Sequence, residues 1–410
     1  MTKDNQHIPS GYKPSPLGII PEDWEVKRLG EVCINNGDYG LNAPATDYDE
    51  DLPTYLRITD IDDDGKFNQS DKKSVNSPLS ENYYLKDGDI VFARTGATVG
   101  KTYLYDKNDG ELVYAGFLIK FTPNKEIILP YFLKSQTNTR EYANWVSITS
   151  QRSGQPGINA AEYCSYKLAL PPLHEQKHIC DLLSLWDTAI AKQTALIEKL
   201  TLRKRGLMQQ LLTGKKRLKG FEGGTFHRLG NYISECNRRN NGCKRVLSVT
   251  NTRGFILQEE QFDKIVASND TSNYKVVHRG EFAYNPSRVN VGSLAMLSEY
   301  DEGILSPMYI VFKANENIDK NYLLQCLQSW WFRGHIPAYT QGSVRDSLSF
   351  DGLCSMKFYI PTLQEQKAIS AILEQADKEI EIQKQKLSDL QEQKKGLIQV
   401  LLTGKKRIKK

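Results

Sequence analysis

LPPLHEQKHICDLL (residues 170–183) and GLMQQLLTGKKRLK (206–219) return 190 positions later, without a gap, as IPTLQEQKAISAIL (360–373) and GLIQVLLTGKKRIK (396–409). Of the 49 positions from 171 to 219, 23 are identical to their partners. Repetition at a fixed offset is read before any motif, because it sets the architecture. The offset holds upstream, where Gln151 pairs with Gln341, Ser153 with Ser343, Cys164 with Cys354 and Lys167 with Lys357. Farther back, Lys27 to Gly30 resembles His227 to Gly230, and Gly88 to Val91 resembles Gly280 to Ala283. The order is domain, helix, domain, helix.

Each repeated segment starts after proline (Pro171 and Pro172; Pro361), contains no other, and runs to a Thr-Gly pair suited to a helix end. Apolar residues recur with a 4-3 rhythm. One seam reads Ile179, Leu183, Trp186, Ile190, Gln193, Ile197, Leu200, Lys204, Leu207, Leu211; the other reads Ile369, Leu373, Ala376, Ile380, Gln383, Leu387, Leu390, Lys394, Leu397, Leu401. Gln and Lys interrupt both at equivalent places, as register-setting positions of a coiled coil do. From Ile179 to Leu211 such a helix rises about 50 Å.

The chain has 410 residues, enough for two or three domains, with 39% hydrophobic and 25% charged residues, a soluble globular composition. No apolar run is long enough to span a bilayer, and the polar start MTKDNQHIPSGYKPSPLG lacks the order of a secretory signal, so a cytoplasmic protein is expected. Seven cysteines without a CxxC read as reduced and structural. The net charge of +5 is unevenly spread: residues 196–220 and 394–410 each carry +7. Such segments suit phosphate backbones, or equally a solvated helix end.

The two intervening stretches hold short β-like runs, among them Tyr55 to Ile58, Asp89 to Phe92, Phe117 to Phe121, Val246 to Val249 and Met308 to Phe312. Each also holds one short helix, Pro130 to Trp145 and Asn321 to Gly334. The fold class expected is α/β (mixed α+β), with an internal pseudo-twofold repeat. The divisions are 1–170, 171–220, 221–360 and 361–410. A shared frame around divergent middles suggests two binding units with different targets.

The opening GYKPSPLGIIPEDWEVKRLGEV (11–32), the PPLHEQ and IPTLQEQ helix starts and the paired LLTGKKR ends resemble the specificity subunit of type I restriction-modification systems, over essentially the whole chain. The resemblance implies two target-recognition domains, each reading half of a split double-stranded DNA target, separated by two long antiparallel helices that fix their spacing. It implies no catalysis and no cofactor in this chain. Two adenine-methylating modification subunits using S-adenosylmethionine, and two restriction subunits using ATP and Mg as motor and nuclease, are the implied partners. An interaction scaffold whose α/β units bind something other than DNA fits the duplicated frame too.

Other motifs are weaker. His174, Glu175 and His178 satisfy HExxH, but the repeat partner Gln364 to Ala368 has neither histidine, so no metal is expected. Asp60 to Gly65 opens like a calcium loop but follows a strand-like run, and reads as an acidic turn. Arg94 to Thr102 has one residue too few between its glycines for a phosphate loop, and reads as a glycine-rich turn facing DNA. Asn285 to Arg288 lacks the second proline and the aromatic of an amino-methyltransferase motif.

Readers of base edges should be polar residues on loops, Arg suiting guanine and Asn or Gln suiting adenine. The candidates are Arg94, Thr95, Lys101, Gln151, Arg152 and Ser153 in the first domain. In the second they are Arg288, Asn290, Gln341, Ser343 and Arg345, with Arg238, Arg239 and Arg253 behind them.

Overall fold

The computed structural model describes residues 8–261, 270–340 and 347–408. It divides into two compact units, one formed by 1–192 with 386–410, the other by 193–385. The two long helices are Leu173–Leu211 and Leu363–Leu401, of 39 residues each. Each gives one half to each unit.

In the first unit the start of the first helix lies against the end of the second: Lys394 pairs with Asp187, and Arg407, just beyond the helix, pairs with Glu175. In the second unit the ends are exchanged, with Lys204 pairing Asp377 and Arg217 pairing Glu365. These contacts repeat at the 190 offset and make the helices antiparallel. Every position of both seams is buried or half-buried, while Leu185, Leu202 and Ile382, off the seams, are exposed. The polar entries are matched: Gln193 Nε2 donates to the Gln383 carbonyl and side-chain oxygens, each at 2.9 Å. Three residues past each helix the chain turns at Gly214 and Gly404, whose φ of +70° and +73° suits glycine.

The domain part of each unit contains a small antiparallel sheet with a repeated strand order. In the first unit it runs Asp38–Tyr39, Leu118–Phe121, Ile90–Ala93, Thr102–Leu104; in the second, Ile233–Glu235, Ile310–Ala314, Phe282–Tyr284, Leu294–Met296. Beside it the first unit carries a second, mixed sheet of Leu112–Tyr114, Thr54–Leu56, Lys73–Ser74 and Thr46–Asp47, and the second unit carries the hairpins Leu247–Thr250 with Gly254–Leu257 and Lys275–His278 with Glu302–Leu305. Two-stranded ladders frame both, Glu25–Arg28 with Lys167–Leu170 and Thr225–Arg228 with Lys357–Ile360, in equivalent register. Gly30 and Gly230 lie where a Cβ would meet Cys164 and Cys354 at 3.1 and 3.0 Å, so duplicated glycines serve duplicated packing.

The single helices expected over Pro130 to Trp145 and Asn321 to Gly334 are each two. Pro130–Gln136 is followed by Arg140–Thr149, and Lys320–Gln328 by Trp330–His335. Hydroxyls cause the breaks: Thr139 and Ser329 accept hydrogen bonds from the N–H groups of Tyr142 and Phe332 and start new helices.

The cores join domain to helix. Phe92, Phe121, Phe132 and Tyr163 pack in one cluster with Ile179, Leu183 and Leu401; Phe282, Phe312 and Tyr322 pack with Leu211, Ile369 and Leu373. The long helices are thus part of each core rather than flexible linkers.

Candidate nucleic-acid interface

Strand Ile90–Ala93 is buried at all four residues, so its polar successors emerge at the surface. The chain turns through Gly96–Thr98 and returns as Thr102–Leu104. Gly100 permits the turn: its φ is +86°, and a Cβ there would stand 2.6 Å from a Val146 methyl. The loop at 150–157 is laid along this turn. Gly96 N–H donates to the Pro156 carbonyl at 3.0 Å, Ile158 N–H to that of Arg94 at 2.9 Å, and Gly157 N–H to that of Ser150 at 3.0 Å. Two sequence-distant candidate groups, Arg94 with Thr95 and Gln151 to Ser153, therefore share one surface.

Their side chains differ in freedom. The Arg94 guanidinium lies 5.1 Å from the centre of the Tyr39 ring, a cation–π contact that steadies it. Gln151 and Ser153 are exposed. Arg152 is committed: it makes a bidentate bridge to Glu162 at 2.6 and 2.7 Å and donates to the Thr149 and Gln151 carbonyls at 2.9 Å. Four of its five N–H groups hold the loop, which makes it a brace. Lys101 pairs with Asp63 at 2.6 Å and holds that carboxyl below the usual range.

The second unit repeats the turn between Phe282–Tyr284 and Leu294–Met296, with Gly292 at φ +98° in the place of Gly100. Leu348 N–H donates to the Pro286 carbonyl at 3.1 Å, as Ile158 does to Arg94. Arg288 and Asn290 are exposed on this turn. Gln341, Ser343 and Arg345 lie outside the described residues. Arg238 pairs with Glu281, Arg239 donates to the Asn273 carbonyl at 2.6 Å, and Arg253 lies 3.6 Å from Glu260.

The basic segments are divided in use. Arg203, Lys204, Arg217, Lys394 and Arg407 are bound in ion pairs that hold helices together. Arg205, Lys215, Lys216, Lys395, Lys405 and Lys406 have no ion pair among the described residues and face solvent. The HExxH residues separate: His174 and His178 are exposed, while Glu175 turns inward to Arg407 and Trp24 Nε1. Asp62 caps its own turn, accepting from the N–H groups of Asp64 and Lys66. Sequence reading missed Tyr39, an exposed ring whose meeting with Arg94 depends on strand pairing across the sheet.

No helix among the described residues is long and apolar enough to cross a membrane. The family described as Type I restriction modification DNA specificity domain matches residues 21–202 and 230–392. The chain is 25% identical over 422 residues to the type I restriction enzyme MjaVIII specificity subunit of Methanocaldococcus jannaschii, covering 95% of this chain and 94% of that one. Its fold is similar to a chain from a structure described as the structural basis underlying complex assembly and conformational transition of the type I R-M system. There the TM-score is 0.56 at 18% identity, over 94% of this chain and 99% of the other. It is also similar to the type I restriction-modification system S subunit from M. genitalium, with TM-score 0.52, 12% identity, and 92% and 96% coverage. The two family matches fall on the two halves of the repeat and take in both glycine-marked turns, so the chain belongs to the type I restriction-modification DNA specificity family.

Proposed function

We propose that this chain is the non-catalytic sequence reader of a cytoplasmic type I complex, with each unit reading one half of a bipartite DNA target. The carrying observation is the same hairpin turn built twice and tied by an equivalent backbone bond, Ile158 to Arg94 or Leu348 to Pro286, with different polar side chains: half-buried Arg94 and Thr95 beside exposed Gln151 and Ser153 in one unit, exposed Arg288 and Asn290 in the other. A buried strand and a left-handed glycine fix each turn, so polar side chains reach a major groove without ordering the backbone on binding. Arg can address guanine and Asn or Gln adenine through paired hydrogen bonds, each worth about 1–3 kcal/mol of discrimination. Lysines at the helix ends that have no ion pair among the described residues supply the sequence-independent attraction to phosphate.

The antiparallel coil sets the gap between half-sites and offers two related surfaces to two modification subunits, which use S-adenosylmethionine. Two restriction subunits, using ATP and Mg, complete the assembly. The chain should be co-expressed with its modification subunit in a host lacking adenine methylation, and the genome sequenced for modified bases. A single motif of two unlike halves with a fixed gap is expected. A continuous or palindromic motif would overturn the bipartite reading. DNA binding by the complex that ignores salt would overturn the DNA-reading role.

A further inference from the structure

The turn around Gly292 has two neighbours, and the side chains they bring to the glycine differ from the one beside Gly100. One is the tip of the hairpin Leu247–Thr250 and Gly254–Leu257, pinned to the turn where the Ser293 hydroxyl donates to the Val249 carbonyl at 2.8 Å. The other is the short helix Trp330–His335. At Gly292 a Cβ would stand 3.3 Å from Asn251 Cβ and 3.5 Å from Arg333 Nη2, so the two side chains flank the glycine at contact distance. Both are exposed, and neither side chain has a hydrogen bond or ion pair among the described residues. Arg288, on the same turn, is also exposed, and its side chain has no partner among the described residues.

The first unit is built otherwise. At the 190 offset Ala143 stands for Arg333, Val146 fills the space beside Gly100, and Lys101 is engaged by Asp63. A guanidinium positioned over a bare glycine, with no hydrogen bond or ion pair among the described residues, is open to a ligand at the surface of this turn. We propose that Arg333 and Asn251 are specificity-determining residues of the second unit, Arg333 addressing a guanine and Asn251 an adenine in the half-site that unit reads. A guanidinium presents two parallel N–H donors to a guanine edge, and a carboxamide presents a donor and an acceptor to an adenine edge.

This rests on the DNA-reading role proposed above, and the wild-type methylation motif tests that role separately. Arg333→Ala, Arg333→Lys and Asn251→Ala are each assembled with the modification subunit, and assembly and melting are checked against the wild type. Methylated sites are then mapped. Arg333→Ala should relax a guanine in one half-site, with discrimination falling about tenfold to a hundredfold. The other half-site and the gap should stay unchanged, and Lys should not restore the choice of base. Asn251→Ala should relax an adenine in the same half. A motif unchanged in all three variants overturns the proposal, as does a uniform loss over all sequences that Lys repairs, which would mark a phosphate contact. Loss of both half-sites together would mark a structural role and overturn it equally.

Discussion

Lys134 carries an ammonium group into the first unit with one long hydrogen bond, 3.4 Å to Asn138 Oδ1. Burial, and then the nearby Lys394, push its pKa from 10.5 down to about 8. The unfolded chain therefore holds this proton more tightly than the folded one. Below pH 8 both states are charged and the cost of burial is paid in full; from pH 8 to about 10.5 the folded state gains stability as it loses the proton first. Lys134→Met should raise the melting temperature at pH 7, by about 1–3 kcal/mol of stability. The advantage over wild type should shrink between pH 8 and 10.5, and a pH-independent difference would show that packing, not charge, is responsible. Arg152 makes a different point. Because its donors hold the 150–157 loop to Glu162, Glu162→Gln should disturb the same half-site as Arg152→Ala. Methylation mapping in which only the Arg152 variant changes the motif would mean that the arginine leaves its brace to read a base.

At the scale of elements, the two units reach the same packing by exchanged means. In the first, Trp24 is fully buried just before one strand of the framing ladder, 3.3 Å from where a Gly404 Cβ would stand. In the second, the residue aligned with Trp24 is Gly224, and the ring is supplied from the other strand by Tyr359, 2.7 Å from where a Gly214 Cβ would stand. The position aligned with Tyr359 is Ala169. Each ring thus covers the glycine just past a long helix, next to a Glu–Arg ion pair, Glu175 with Arg407 or Glu365 with Arg217. Tyr359→Ala should destabilise the second unit by about 2–4 kcal/mol. Tyr359→Phe should cost under about 1 kcal/mol, since its hydroxyl makes only a 3.3 Å bond to the Gly223 carbonyl. Chemical denaturation of the variants checks both. Such exchanges explain what was legible in sequence. The seams could be read because a 3.5-residue period is local, and the turn at Gly100 could be read because glycines mark it. The shared sheet order could not, because strands of two to five residues pair with partners up to 82 positions away. The meeting of Arg333 with Gly292 was hidden for the same reason, since it joins residues about 40 apart through the tertiary fold.

For the molecule as a whole, the proposed role of the helices is to fix the gap between half-sites, and the seam geometry makes that testable. Gln193 and Gln383 are hydrogen-bonded to each other 190 residues apart, so they mark where the antiparallel seams cross. Four residues inserted beside each would lengthen both helices by about 6 Å while turning the following seam by only about 40°, since four residues slightly exceed a turn. Two residues inserted at each place would turn it by about 200°, carrying the following seam to the outer face of each helix and out of reach of pairing such as that of Lys204 with Asp377. The four-residue variant should keep both half-sites and widen the gap by one or two base pairs, at 3.4 Å of duplex each. The two-residue variant should fail to assemble or to direct methylation. Mapping of methylated sites reports half-sites and gap together. A folded, active four-residue variant with the original gap would remove the coil from the role of spacer, and the gap would then have to be set by the docked modification subunits.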